Sequence, residues 1–283
     1  MAYWEWGDAA NPDVVVCVHG LSRQGRDFDR LALALSARFR VVCPDVAGRG
    51  RSQWLAPEQY QVEQYVADMV TLLARLRARS LGWVGTSMGG LIGIALGGLQ
   101  QSPLSALVLN DIGPTLAEAG LRRIASSLGQ KMHFADLEQA ADALWSVSQG
   151  FGPHSRADWL ELCRPMLVDD PQGGVRLHYD PAIMQAFSRL ADPAAAPALD
   201  AAEQAVWHLY DRIAAPTLLL RGAQSDILDA DTARAMGQRG PRAGLLQWPD
   251  VGHAPTLMTA QQIDPVVQFL QRHLAAGAAT DTR

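Results

Sequence analysis

Leu81-Gly82-Trp83-Val84-Gly85-Thr86-Ser87-Met88-Gly89-Gly90-Leu91-Ile92 decides how the rest of the chain is read. An apolar run over 81–85 passes directly into Gly85-x-Ser87-x-Gly89, and a helical pattern over 88–100 begins at once. A strand that turns this abruptly into a helix brings two backbones close together. The positions at their contact must then be tiny, and Gly85, Gly89 and Gly90 meet that need.

Working outward, short apolar runs alternate with longer helical patterns, the mark of a parallel sheet covered on both faces. Strands are expected at 3–6, 14–19, 40–44, 81–85, 106–110, 217–221 and 244–248. Val14-Val15-Val16-Cys17-Val18 is the continuous β-branched run of a strand buried on both sides. Helices are expected at 28–37, 64–78, 88–100 and 264–274. From Gly113 to Ala214 no strand pattern occurs. Amphipathic pieces at 116–128, 136–148, 156–166, 181–190 and 201–210 fill the stretch, with a proline-rich break at 192–197. The expected organisation is a first core part at 1–112, a helical cap insertion at 113–214, a second core part at 215–274 and a flexible tail at 275–283.

The bulk properties narrow the function. The chain has 283 residues, 48% hydrophobic and 19% charged, with a net charge of −5. That length accommodates one α/β core plus an insertion. Scattered arginines and a negative balance argue against nucleic acid as a partner. No run reaches the roughly 20 apolar residues of a membrane helix, and the first residues lack the pattern of a secretory signal. The three cysteines, Cys17, Cys43 and Cys163, are read as free thiols, which fits a cytoplasmic location. Neither His-Glu-x-x-His nor paired Cys-x-x-Cys occurs, so no metal and no other cofactor is expected.

The Gly-x-Ser-x-Gly turn in its strand–turn–helix setting resembles the nucleophile elbow of the α/β hydrolases. Four further motifs resemble the same family in its chain order. Val18-His19-Gly20-Leu21 is similar to the oxyanion loop, and Asp45-Val46-Ala47-Gly48-Arg49-Gly50-Arg51-Ser52 to a structural turn with glycines at positive φ. The stretch from Pro216 to Asp226 is similar to the acid strand and loop, and Trp248 to Pro255 to the histidine loop. The resemblance implies a mostly parallel sheet of about seven strands with helices on both faces and an inserted cap. It also implies a catalytic Ser87, His253 as general base and Asp226 as the acid, with the backbone N–H groups of Leu21 and Met88 as the oxyanion hole. One departure is the opening: the family starts with a hairpin, and only 3–6 is available here.

Several residues carry a second reading. Asp111 ends the strand before the insertion and is the rival acid, although a carboxylate there also serves simply to cap a turn. His19 is expected to order its loop rather than move protons. Arg23, just beyond, reads first as a solvated loop arginine, with a substrate carboxylate as the alternative contact. His133, His154, His178 and His208 in the insertion are read as surface or packing residues, His273 as solvated. Trp145, Trp159, Met166 and Met184 are read as packing residues.

The expected function is a serine hydrolase that cleaves a small carboxylic ester or lactone through an acyl-enzyme. Its partner is then a small-molecule substrate, without nucleic acid or membrane. Two other readings stay open: a hydrolase of C–C bonds in ring-fission products, and a ligand-sensing protein on a hydrolase scaffold. The fold alone does not separate them.

Overall fold

The computed structural model describes residues 1–127, 132–184 and 196–274. The expected tail at 275–283, and parts of the patterns at 116–128, 181–190 and 192–197, lie outside the described residues.

A seven-stranded sheet forms the core. In chain order its strands are β1 (Tyr3–Trp6), β2 (Asp13–Val18), β3 (Arg40–Pro44), β4 (Ser80–Thr86), β5 (Ala106–Asn110), β9 (Thr217–Gly222) and β10 (Gly244–Trp248). Their spatial order is β1-β3-β2-β4-β5-β9-β10. All neighbours run parallel except β1, which pairs antiparallel with β3. The single strand at 3–6 therefore closes this edge, with the Trp4 ring held between the guanidinium groups of Arg26 and Arg51.

Each central strand feeds two apolar layers. Val14, Val16 and Val18 of β2 pack against α2 (Val62–Leu76) and α3 (Met88–Gly97). The alternate residues Val15 and Cys17 pack against α1 (Asp29–Leu35) and α9 (Ala260–Leu274). Every one of these strand side chains is buried, which explains why the sequence shows a continuous apolar run instead of alternation. Cys17, Cys43 and Cys163 are free and buried.

The order also fixes where a ligand can sit. From β2 the chain moves to β3 on one side, then returns to β4 on the other. The carboxyl ends of β2 and β4 thus flank a topological switch point, where open α/β sheets leave a crevice. His19, Gly20 and Leu21 follow β2, and Ser87 follows β4.

The segment between β5 and β9 is not purely helical. It holds α4 (Glu118–Ser127), α5 (Leu137–Ser148), α6 (Arg156–Cys163) and α7 (Ala196–Asp211), but also a small antiparallel sheet. That sheet consists of β6 (His133–Phe134), β7 (Leu167–Asp169) and β8 (Val175–Leu177), in the order β6-β8-β7. The expectation of no strand here is therefore corrected. Strands of two or three residues are too short to print an alternating pattern. The chain just after β8 continues onto the core. Arg49 and Tyr179 form an antiparallel bridge, Gly50 N–H donates to His178 C=O at 2.9 Å, and Asp180 N–H donates to Gly48 C=O at 2.7 Å.

Trp159 is buried in this segment, where its indole N–H donates to Ala141 C=O at 2.7 Å and its ring meets Trp145 edge-on. Helix α8 (Ala230–Met236) lies between β9 and β10 in sequence.

Candidate active site

Ser87 stands between the last residue of β4 and the first of α3, with φ +52°. A non-glycine residue in that region is strained and must be held there by its surroundings. The holding groups are identifiable. Ser87 N–H donates to Asn110 C=O at 3.0 Å, and the N–H groups of Gly90 and Leu91 return to Ser87 C=O. Two glycines let the helix approach this closely. A Cβ on Gly85 would lie 2.3 Å from Gly89 O, and one on Gly89 would lie 2.0 Å from Val18 O. Asn110 extends the clamp: its side-chain amide donates to Thr86 Oγ1 and to Pro255 C=O, tying the turn to the loop that carries His253.

His253 lies between two partners. Its Nε2 is 3.0 Å from Ser87 Oγ, and its Nδ1 is 2.8 Å from Asp111 Oδ2. Asp111 is fully buried and also accepts Gly222 N–H at 2.8 Å and Ser225 Oγ–H at 2.5 Å. A buried carboxylate with these donors is fixed in place and solvated by the protein. The imidazole thus has a carboxylate on one nitrogen and a hydroxyl on the other, an arrangement that lets it take a proton from Ser87.

The structure does not place Asp226 in this chain of contacts. Its carboxylate turns outward and forks onto Arg123 of α4, at 2.5 and 2.8 Å. That guanidinium holds the Asp226 carboxyl below the ordinary aspartate range. The neighbouring Ser225 occupies the inward place, donating to Asp111 while accepting the N–H of Leu228. Because β5 and β9 are adjacent, both loops end beside the histidine, and the reach of one residue separates them. Asp111 follows β5 immediately, whereas Asp226 stands four residues beyond β9.

Gly20 packs on the serine, since a Cβ built there would be 3.6 Å from Ser87 Cβ. Its loop is ordered by His19, which is fully buried. Nδ1 lies 2.7 Å from Gly20 C=O, and Nε2 accepts Val46 N–H at 2.9 Å. Burial pushes this imidazole down to about 3, so it is neutral, with its proton on Nδ1. Asp45 braces the neighbouring turn by accepting Gly25 N–H and Arg51 N–H.

Arg49 was not singled out by the sequence reading, which treated its turn as a scaffold. The side chain is fully buried without a carboxylate partner among the described residues. It donates to Leu21 C=O at 2.7 Å, to Ala47 C=O and to Tyr65 Oη, and its Nη2 lies 3.6 Å from Met88 Sδ. It therefore touches both residues expected to supply the oxyanion N–H groups. The signal was a large cation set between two glycines of a buried turn.

A cavity of about 280 Å³ opens over Ser87 and His253. Its floor is Gly20, Leu21 and Ser87, and its walls come from the segment between β5 and β9, including Leu144, Phe151 and Met166. Arg23 lines it as well, with its side chain only 12% exposed, so it is not a solvated loop arginine. Met166 is both buried and part of this lining. Among the described residues, no group of His, Cys, Asp and Glu is arranged to hold a metal ion.

A family model for the alpha/beta hydrolase family matches residues 15–268. The chain belongs to that family. Of its relatives, a 3-hydroxybutyrate-oligomer hydrolase from Cupriavidus necator is 48% identical, over 95% of this chain and 92% of that protein. A pimeloyl-[acyl-carrier protein] methyl ester esterase from Chromobacterium violaceum is 29% identical, over 94% and 96%. Among solved structures, an alpha/beta hydrolase from Novosphingobium aromaticivorans superposes with a TM-score of 0.83 at 36% identity. That match covers 95% of this hydrolase and 93% of the other chain. The family assignment makes the chain a hydrolase with ester-cleaving relatives. No described helix of this hydrolase is long and apolar enough to cross a membrane.

Proposed function

We propose that this hydrolase cleaves short oligoesters of a small hydroxy acid, through an acyl-enzyme on Ser87. The observation that carries the reading is the unbroken contact series from Ser87 through His253 to buried Asp111, at the floor of a mostly apolar cavity. In this reading Ser87 Oγ attacks the ester carbonyl while His253 Nε2 takes its proton. Asp111 holds the Nδ1–H tautomer and stabilises the imidazolium. The N–H groups of Leu21 and Met88 receive the charge that develops on the carbonyl oxygen. Met88 is the first residue of α3, so its N–H has no partner within the helix. His253 then protonates the leaving alcohol and activates a water that releases the acid.

The segment 113–214 acts as a cap, since it supplies most of the cavity wall above Ser87. A cavity of this size favours short acyl units over long chains. The relative that cleaves 3-hydroxybutyrate oligomers supports the oligoester as the substrate. Buried free thiols support a reducing, cytoplasmic setting.

The test compares the wild type with Ser87→Ala on 3-hydroxybutyrate oligomers, p-nitrophenyl esters of rising length, and ring-fission dienone acids. A fluorophosphonate label reports the activated serine directly. Oligomers and short esters are turned over by the labelled wild type, and the variant loses on the order of 10⁶ in kcat. Retention of a few per cent activity in Ser87→Ala, or cleavage of the dienone acids alone, overturns the reading.

A further inference from the structure

Ester hydrolysis by itself does not require the charge that lines this cavity. Among the described lining residues, Arg23 and Arg123 carry permanent charge, and no aspartate or glutamate is present. The counter-ions sit behind the wall. Asp27 forks onto Nε and Nη2 of Arg23 at 2.6 and 2.8 Å, and Asp226 forks onto Arg123. Removing a guanidinium from water is costly unless it is paired, and Arg23 has donors beyond the two that Asp27 takes up.

Arg23 is the more firmly built of the two, with a side chain 12% exposed against 41% for Arg123. The Asp27 fork fixes the plane of its guanidinium, and Nη2 also approaches Leu162 C=O at 3.4 Å. Nη1, which carries two N–H groups, meets the Met166 sulfur, a weak acceptor. The Phe151 ring lies 5.7 Å from the guanidinium carbon. Gly20 sets this group beside the nucleophile, because its built Cβ lies 3.6 Å from Ser87 Cβ and 3.8 Å from Arg23 Cγ. The Arg23 stem and Ser87 therefore flank Gly20 in the lining of one cavity.

We propose that Arg23 is the carboxylate-binding residue of this cavity, its Nη1 edge receiving the free acid of a hydroxy-acid ester. The proposal rests on the ester-hydrolase reading above and deepens it. In an ester of a 3-hydroxy acid, the free carboxylate lies roughly 5 Å from the carbonyl carbon that is attacked. That separation suits a cation that lines the same cavity as the serine. Two carboxylates then occupy different edges of one guanidinium, which its five donors allow.

Two measurements on the intact chain test this. The first is the ratio of kcat/KM for the 3-hydroxybutyrate dimer as free acid to that for its methyl ester, in wild type and Arg23→Met. The wild type favours the acid, and the variant lowers the ratio tenfold to a hundredfold, the range for losing a charge-assisted hydrogen bond. The second is competitive inhibition of p-nitrophenyl butyrate hydrolysis by 3-hydroxybutyrate against 3-hydroxybutyramide. The wild type binds the carboxylate at least tenfold better, and Arg23→Met or Arg23→Lys narrows that gap. Should the wild type cleave neither dimer while turning over the p-nitrophenyl ester through Ser87, the oligoester reading falls and the inhibition pair decides Arg23 alone. Equal inhibition by acid and amide in the wild type overturns the proposal, as does a gap or ratio unchanged in the variants.

Discussion

Asp111 and Asp226 differ in what surrounds them, and the difference has a kinetic consequence. Asp111 is buried, accepts three hydrogen bonds and faces His253 Nδ1. Asp226 is partly exposed and bound to Arg123. Replacing a triad carboxylate by its amide leaves the geometry but permits the wrong histidine tautomer. Asp111→Asn is therefore expected to lower kcat by about 10⁴-fold, while Asp226→Asn changes it only severalfold. Steady-state kinetics on a short p-nitrophenyl ester measures both, and equal losses contradict the geometry. That Ser87 and His253 come together was legible in the sequence, because each sits in a motif whose steric demands are local. Which aspartate meets His253 was not, because Ser–Asp–His order is satisfied by either one. Only the adjacency of β5 and β9 and the inward turn of Ser225 decide between them.

At the scale of elements, the site depends on how closely α3 lies against β2. Gly89 is the point of contact, with Val18 O only 2.0 Å from where a Cβ would stand. Backbone cannot retreat the way the end of a flexible side chain can. Gly89→Ala is expected to destabilise the fold by roughly 3 kcal/mol or more, among the larger effects of single substitutions. Gly244→Ala in β10 is the control, since its nearest neighbour to a built Cβ is Leu218 Cδ1 at 3.9 Å. Its effect should stay within about 1 kcal/mol. Thermal midpoints compare the two, and similar shifts would mean that the contact is not limiting. The core strands were readable from β-branched runs that only two-sided burial explains. The strands β6, β7 and β8 were not, because none is long enough to show a period. Their positions follow from pairing between distant residues.

For the molecule as a whole, His19 links acidity to stability. In the folded state its imidazole is held down to about 3, against an ordinary value of 6.5. Below pH 6.5 the unfolded chain binds a proton that the folded chain refuses, so unfolding is favoured as pH falls. The contribution is complete above that value and is lost progressively down to about pH 3. The limiting slope is about 1.4 kcal/mol per pH unit for one proton. Denaturation midpoints measured from pH 7.5 to 4.5 should decline below 6.5, and His19→Gln should flatten the decline. An unaltered slope in the variant assigns the acid sensitivity elsewhere. The same residue positions the loop next to Ser87, so unfolding in acid also removes that loop from the site.

The stitching of the chain after β8 to the turn at Gly48–Arg49–Gly50 bears on how such molecules can diversify. An Arg49–Tyr179 bridge, made by two backbone hydrogen bonds, joins the segment between β5 and β9 to a turn encoded early in the chain. Arg49 carries that join onward to Leu21. The segment between β5 and β9 is therefore tied to the core at this turn. Recombination that swaps residues 113–214 between relatives keeps these pairings only if the turn at 48–50 is inherited with them. A change of shape at either place is therefore felt at the other.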